Sequence, residues 1–317
     1  MTPTRRALSG SLLLAPLLPL LRPERAVAQA WQPTPTPVAL PVPAVVPPPP
    51  DMRAVLRQAA AAMPAANARG RAAVTRTLER LDDHGLDLSS GRVIVANIAA
   101  QELIAYQDGR EALRSRIIVG TPRTRTPQLA SFVTSVRANP PWYVPTSIEA
   151  ELRAKGPSGI TGFRVVGGRL IQPPGPTNPL GPLRIGLMDS DGIFLHGTNS
   201  PRLFASAGRT LSHGCVRVER VRDLAAWLLG ITPAAVDAMV ATGRTLERLP
   251  VAEVPVFLSY LTAWPMTNGR VAVFGDPYGY DQLGVRGGFR RVSRPVVGTP
   301  AEAEAAARPG PAADNPL

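Results

Sequence analysis

The chain carries one cysteine and three histidines, and two of the histidines stand shortly before the cysteine in sequence. Ile193, Phe194 and Leu195 run into His196, and nineteen residues later the segment Ser212-His213-Gly214-Cys215-Val216-Arg217-Val218 supplies the thiol. A free thiol, with a pKa of about 8.5, is only slightly ionised at neutral pH. An imidazole within hydrogen-bond reach removes its proton or holds a thiolate–imidazolium pair, and either makes the sulfur a nucleophile. Cys215 is therefore the candidate nucleophile and His196 the candidate general base and acid. Gly214 lets the backbone turn sharply, so that the amides of Gly214 and Cys215 converge on a developing oxyanion. Gly197, directly after His196, removes a side chain where a substrate would approach.

Such a pair needs elements to carry it. The apolar run before His196 reads as a buried strand that delivers the imidazole at its end. The chain leaves through Gly197 into a polar loop, returns through Leu211, and Val216 and Val218 begin another strand-like alternation. Leu183 to Leu187 and Ile193 to Leu195 read as a hairpin around Asp191-Gly192. Upstream, Val93 to Ala96, Leu103 to Tyr106 and Ile117 to Val119 are short β-rich runs, with Asp108-Gly109 marking a hairpin turn, and Phe132 to Val136 continues the series. A short helix is expected to follow Trp142-Tyr143-Val144-Pro145, with Ser147 as its N-cap. Val221, Leu224, Ala225 and Leu228 predict an amphipathic helix ending at Gly230, and Thr232-Pro233 caps another. Val254 to Tyr260 and Arg270 to Phe274 read as late strands, and no internal repeat is visible.

The flanks differ in composition. Residues 1–30 read as a signal peptide: Arg5-Arg6 supplies charge, and Leu12 to Leu21 an apolar core too short and proline-broken to span a bilayer. Ala26-Val27-Ala28 and Ala28-Gln29-Ala30 are small-residue cleavage sites. The arginine pair points to the twin-arginine route, with general secretion as the alternative. No membrane segment is expected after cleavage, and no cysteine near the cleavage site offers a lipid anchor. Residues 31–51 form a proline-rich linker, 52–90 a helical linker segment broken at Pro64, 91–290 the main domain, and 291–317 a disordered tail.

Of the 317 residues 36 are proline, and a net charge of +12 rests almost wholly on arginine, Lys155 being the one lysine. Such a balance suits an anionic polymer. No DNA- or RNA-binding motif accompanies it, so nucleic acid is set aside. A lone cysteine excludes an intramolecular disulfide, and an unpaired thiol in an exported chain is a liability unless it is used. No metal is expected: Asp82, Asp83 and His84 read as a solvated helix end, and the spacing of His213 and Cys215 suits a tetrahedral ion poorly.

His196-Gly-Thr followed by Ser212-His-Gly-Cys-Val-Arg resembles the active-site signature of L,D-transpeptidases of the YkuD type. Ile117-Ile-Val-Gly-Thr-Pro, Thr126-Pro and Asn139-Pro-Pro-Trp142-Tyr-Val-Pro resemble the larger, periplasmic branch of that family, and the likeness covers roughly residues 70–290. It implies a mainly β domain, a curved mixed sheet with peripheral helices, acting in the periplasm as a monomer. It further implies that Cys215 attacks the third residue of a peptidoglycan tetrapeptide stem, forms a thioester, releases the terminal D-Ala and passes the acyl group to a diaminopimelate amine, a 3→3 cross-link. Thiolate, base and oxyanion hole suffice, so no cofactor is implied. Ser212 and His213 would shape the site, Arg217 would pair with a substrate carboxylate or brace the loop, and Trp142 and Tyr143 would line the cleft. The lid that the branch carries within residues 153–182 looks short here. The alternatives are a carboxypeptidase, hydrolase or protein-anchoring enzyme using the same thioester, and a non-catalytic wall-binding protein.

Overall fold

The computed structural model describes residues 51–266 and 270–293. The expected signal peptide, all but the last residue of the proline tract, and the tail from residue 294 lie outside the described residues.

Two helices open this part, α1 (Met52–Ala62) and α2 (Ala68–His84), parted at Pro64 as expected. Asn67 caps α2 by accepting the Gly70 N–H at 3.0 Å, and Gly85 ends it in the left-handed conformation. The strands β1 (Arg92–Asn97), β2 (Glu102–Gln107), β3 (Arg110–Gly120) and β4 (Gln128–Ala138) follow. Then come β5 (Trp142–Tyr143), α3 (Thr146–Ala154), β6 (Arg164–Val166) and β7 (Arg169–Gln172). The second half holds β8 (Leu183–Leu187), β9 (Leu195–His196), β10 (Thr210–Ser212), β11 (Val216–Val218), α4 (Val221–Leu229), α5 (Pro233–Ala241), β12 (Leu246–Arg248), β13 (Pro255–Ser259), β14 (Ala263–Pro265), β15 (Val271–Val273) and β16 (Phe289–Arg291). Among the described residues no single helix is long and apolar enough to cross a membrane.

The main sheet runs β3-β11-β9-β8-β4-β13-β1-β2, and β2 pairs back to β3, so eight strands close on themselves. The ring is mixed: β1–β13 and β9–β11 are parallel, while β1–β2, β2–β3, β4–β8 and β8–β9 are antiparallel. The expected mainly β, mixed-sheet class is the one found. Both expected hairpins form: Asp108 and Gly109 are the two-residue turn between β2 and β3, and Asp191 and Gly192 make a turn within the longer connection of β8 to β9, all four at positive φ.

Two cores explain the strand sequences. Val93 and Val95 pack with Leu56, Val74 and Leu81 of the helices, while Ile94 and Ala96 join Leu195, Val216, Leu224 and Leu228 in the larger core. A strand covered on both faces reads as a continuous apolar run, which is how β1 reads. The segment expected as a helical linker thus covers one face of the sheet. Three local expectations are also corrected. His84 is not a solvated helix end but buried, because α2 lies on the sheet. Pro145, not Ser147, occupies the N-cap of α3, and no side chain caps it. Arg291 still pairs with β4 and Val292 is buried, so the chain stays ordered past the expected start of the tail.

Candidate active site

Register decides whether the thiol and the imidazole share a face. In the parallel pair of β9 and β11, Leu195 stands opposite Val216 and His196 opposite Arg217. Leu195, Val216 and Val218 are buried in the larger core. Side chains alternate along a strand, so Phe194, His196, Cys215 and Arg217 all point away from that core on one side of the sheet. Cys215 stands level with Phe194, whose carbonyl accepts the Val216 N–H at 3.1 Å, and His196 is its diagonal neighbour.

The turn before Cys215 is held from within and from beneath. The Ser212 hydroxyl donates to the Cys215 carbonyl at 2.6 Å and accepts the Gly214 N–H at 3.1 Å. Gly214 sits at φ +123°, a conformation that side chains disfavour. Its amide is spent on Ser212 and cannot serve an oxyanion, contrary to the expectation for Gly214. Below the turn, the buried Thr126 hydroxyl donates to the Gly214 carbonyl at 2.7 Å and accepts the Gly120 N–H at 2.9 Å. Tyr278 completes the brace: its hydroxyl accepts the Thr126 N–H at 3.1 Å and donates to the Gly120 carbonyl at 2.8 Å. A side chain at Gly120 would lie 2.0 Å from the Thr124 carbonyl oxygen, so only glycine fits there.

The electrostatics favour neutral groups. Burial pulls His196 down to about 3, helped by the charge of Arg217 and opposed by hydrogen bonding with the backbone of Gly197 and Leu180. Burial pushes Cys215 up to about 11, against the backbone of Phe194 and the charges of Arg184 and Arg217. At neutral pH the resting pair is thus an uncharged thiol and an uncharged imidazole, the first of the two arrangements the residue types allowed. The thiol donates to the Gly192 carbonyl at 3.5 Å, and His196 Nδ1 is buried with no partner among the described residues.

The remaining expected site residues divide. Gly197 is not an opening for substrate: a side chain there would meet Pro182 at 3.1 Å and Val221 at 3.3 Å, so its smallness serves packing. His213 is exposed, with Nε2 3.4 Å from Glu151 of α3. The segment expected as a short lid, residues 153–182, supplies β6 and β7, which join β5 in a three-stranded sheet β5-β7-β6, and α3, most of which precedes it, reaches the turn before Cys215 through Glu151. Trp142 meets Phe163 edge-on at 6.2 Å, and Arg169 lies over Tyr143 at 5.6 Å. These contacts hold the small sheet together, and none of them involves Cys215 or His196. Thr126 and Tyr278 were missed as supports of the turn. Thr126 stood in a Thr-Pro pair whose resemblance was visible, but the pairing across 88 residues with Gly214 was not. Among the described residues no cluster of His, Cys, Asp and Glu suits a metal ion.

Residues 91–283 match YkuD, the L,D-transpeptidase catalytic domain, and the chain belongs to that family. It is 34% identical over 218 residues to a Haemophilus influenzae protein named "Putative L,D-transpeptidase", covering 60% of this chain and 44% of that one. It is 31% identical over 144 residues to "Probable L,D-transpeptidase YcfS" of Escherichia coli, covering 44% and 41%. The chain thus spans less than half the length of these curated relatives. Among solved structures, an L,D-transpeptidase from Mycobacterium smegmatis aligns over 53% of this chain and 58% of its own, at 18% identity and a TM-score of 0.31. One from Stackebrandtia nassauensis aligns over 65% and 75%, at 13% identity and a TM-score of 0.27.

Proposed function

We propose that this chain is an exported cysteine L,D-transpeptidase that works on peptidoglycan stem peptides in the periplasm, with residues 1–30 as its export signal. The observation that carries the reading is the buried, unpartnered Nδ1 of His196 on the same side of the sheet as Cys215. A neutral imidazole with a free acceptor is what a neutral thiol needs as it attacks. Sγ bonds to the carbonyl carbon of the third stem residue while its proton passes to Nδ1. The oxyanion faces the amides of Cys215 and His213, since that of Gly214 is taken. Collapse breaks the C–N bond to the terminal D-Ala, whose nitrogen takes the proton from His196, and a thioester remains. A diaminopimelate amine then attacks, gives its proton to His196 and forms the new amide as the C–S bond breaks. The thiolate regains its proton from the imidazolium.

The test is incubation of the protein with tetrapeptide muropeptides and mass analysis of the products. Dimers lacking one D-Ala are expected. Tripeptides alone would replace the amine by water as acceptor, and unchanged substrate would remove the reading.

A further inference from the structure

The oxyanion of the proposed reaction faces the amides of His213 and Cys215, and each amide is one end of a planar peptide unit. The other ends are the carbonyls of Ser212 and Gly214. In a trans unit the N–H and the C=O point in opposite directions, so whatever holds the carbonyl aims the amide. One loop, residues 121–126 between β3 and β4, holds both carbonyls. The Ser212 carbonyl accepts the Thr121 N–H at 3.0 Å and the Thr124 hydroxyl at 3.1 Å. The Gly214 carbonyl accepts the Thr126 hydroxyl at 2.7 Å. Among the described residues no protein acceptor takes the N–H of His213 or of Cys215. A carbonyl that accepts a hydrogen bond also polarises its unit and makes the N–H a stronger donor.

The loop is fixed in its turn. A backbone N–H only donates and a carbonyl only accepts, so the directions of its bonds are settled. Tyr278 donates to the Gly120 carbonyl and accepts the Thr126 N–H, and one hydroxyl thereby grips both ends of the loop. Burial raises the pKa of that phenol, which keeps its proton at neutral pH. The Tyr278 N–H donates to the Tyr260 hydroxyl at 2.9 Å, and the two rings stack with centroids 5.4 Å apart. Over Tyr260 lies the guanidinium of Arg80 from α2, 5.2 Å from the centroid. Arg80 is buried, with Nη2 2.8 Å from Asp281. Contacts thus run without a break from α2 to the two amides. We propose that Tyr278 is a positioning residue of the acyl transfer: it sets residues 121–126 so that the His213 and Cys215 amides converge on the oxyanion, and Arg80 of α2 sets Tyr278. The proposal deepens the transpeptidase reading and rests on it. Each of these groups acts only through the next. The segment expected as a linker then supports the chemistry as well as the sheet.

The test compares two reactions of the same sulfur in the full chain. Acylation by a tetrapeptide donor passes through an oxyanion. Alkylation by iodoacetamide does not: sulfur bonds to a saturated carbon as iodide leaves and the thiol proton passes to base or solvent. Both are read by mass on the peptide containing Cys215, with melting curves as the fold control. Tyr278→Phe keeps the ring and loses both loop bonds. It is expected to lower the kcat of acylation about tenfold, part of the roughly hundredfold to thousandfold that an oxyanion donor is worth. KM and the alkylation rate should stay within about threefold, because the oxyanion forms only after attack. Thr126→Val should show the same selective loss, and Thr126→Ser, which keeps the hydroxyl, should recover acylation to within about threefold of the wild type. Asp281→Asn, which loosens Arg80, should lower acylation about fivefold and leave alkylation unchanged. Wild-type acylation by Tyr278→Phe or by Asp281→Asn, a loss shared equally by alkylation, or a Thr126→Ser variant as slow as Thr126→Val would overturn the proposal while leaving the transpeptidase reading intact. No acylation of the wild type by any donor would overturn both.

Discussion

His84 and His196 make a natural comparison, for both are buried, one in a helix packed on the closed sheet and one on a strand of it, and burial lowers the pKa of both. Their second atoms differ. His84 Nδ1 lies 2.9 Å from the Ser259 hydroxyl, and its ring stacks on Phe289 at 3.9 Å. His196 lies on the other face, beside the thiol, with Nδ1 unpartnered. A buried polar atom without a partner costs about 1–3 kcal/mol, so a fold keeps one where something else uses it. Burial alone does not single out a histidine here; on the proposed reading, the unpartnered Nδ1 on the side of the sheet that bears Cys215 does.

The strongest way to break the comparison is to remove each ring in turn. Cys215→Ala should abolish acylation without unfolding the chain, and His196→Gln should slow it by about a hundredfold to ten-thousandfold, the usual share of a general base. His84→Gln should leave the acylation rate within about threefold but lower stability by roughly 1–3 kcal/mol, seen in denaturant melts. Equal kinetic losses from His84→Gln and His196→Gln would erase the distinction.

A pH titration of stability sharpens it. His84 sits near pH 4 in the fold and near 6.5 when unfolded. The unfolded chain therefore binds the extra proton first, so stability is full above about 6.5 and falls as pH drops through about 4. A shift of that size is worth about 3 kcal/mol at 1.36 kcal/mol per unit. Denaturant midpoints measured across this window should decline, and His84→Gln should flatten the decline. A midpoint that holds steady in the wild type would contradict the assignment.

Smaller effects follow from the braces. Thr126→Val removes the bonds to the Gly214 carbonyl and the Gly120 amide, and should cost about 1–3 kcal/mol in stability or about tenfold in acylation rate. Glu151→Gln cuts only the exposed contact with His213, and should change KM by less than about threefold. A larger change there would give α3 a direct part in substrate binding.

What the sequence made legible follows from how local each signal is. The apolar run into His196, the Asp-Gly turns and the Gly230 helix stop are short-range patterns, and each appears where expected. The thiol and the imidazole were legible because one cysteine stands in a motif of distinctive types. What stayed hidden depends on pairing across the sheet. Arg184 looked like one polar residue in a strand until the register set it beside His196. Gly197 looked like open space until Pro182 and Val221 filled its surroundings. His84 looked solvated because the acidic residues before it point outward while its own side chain turns to Ser259. The helices α1 and α2 read as a linker because only the fold shows β1 needing cover on both faces.

The central claim is that the Cys215 sulfur takes an acyl group with His196 as its proton acceptor. Incubating the full chain with a tetrapeptide donor and mapping the adduct by peptide mass tests it most directly. The account predicts a tripeptide acyl group on the peptide containing Cys215, at a rate that collapses in His196→Gln. An unmodified Cys215, or an adduct that forms equally fast without the imidazole, would contradict it.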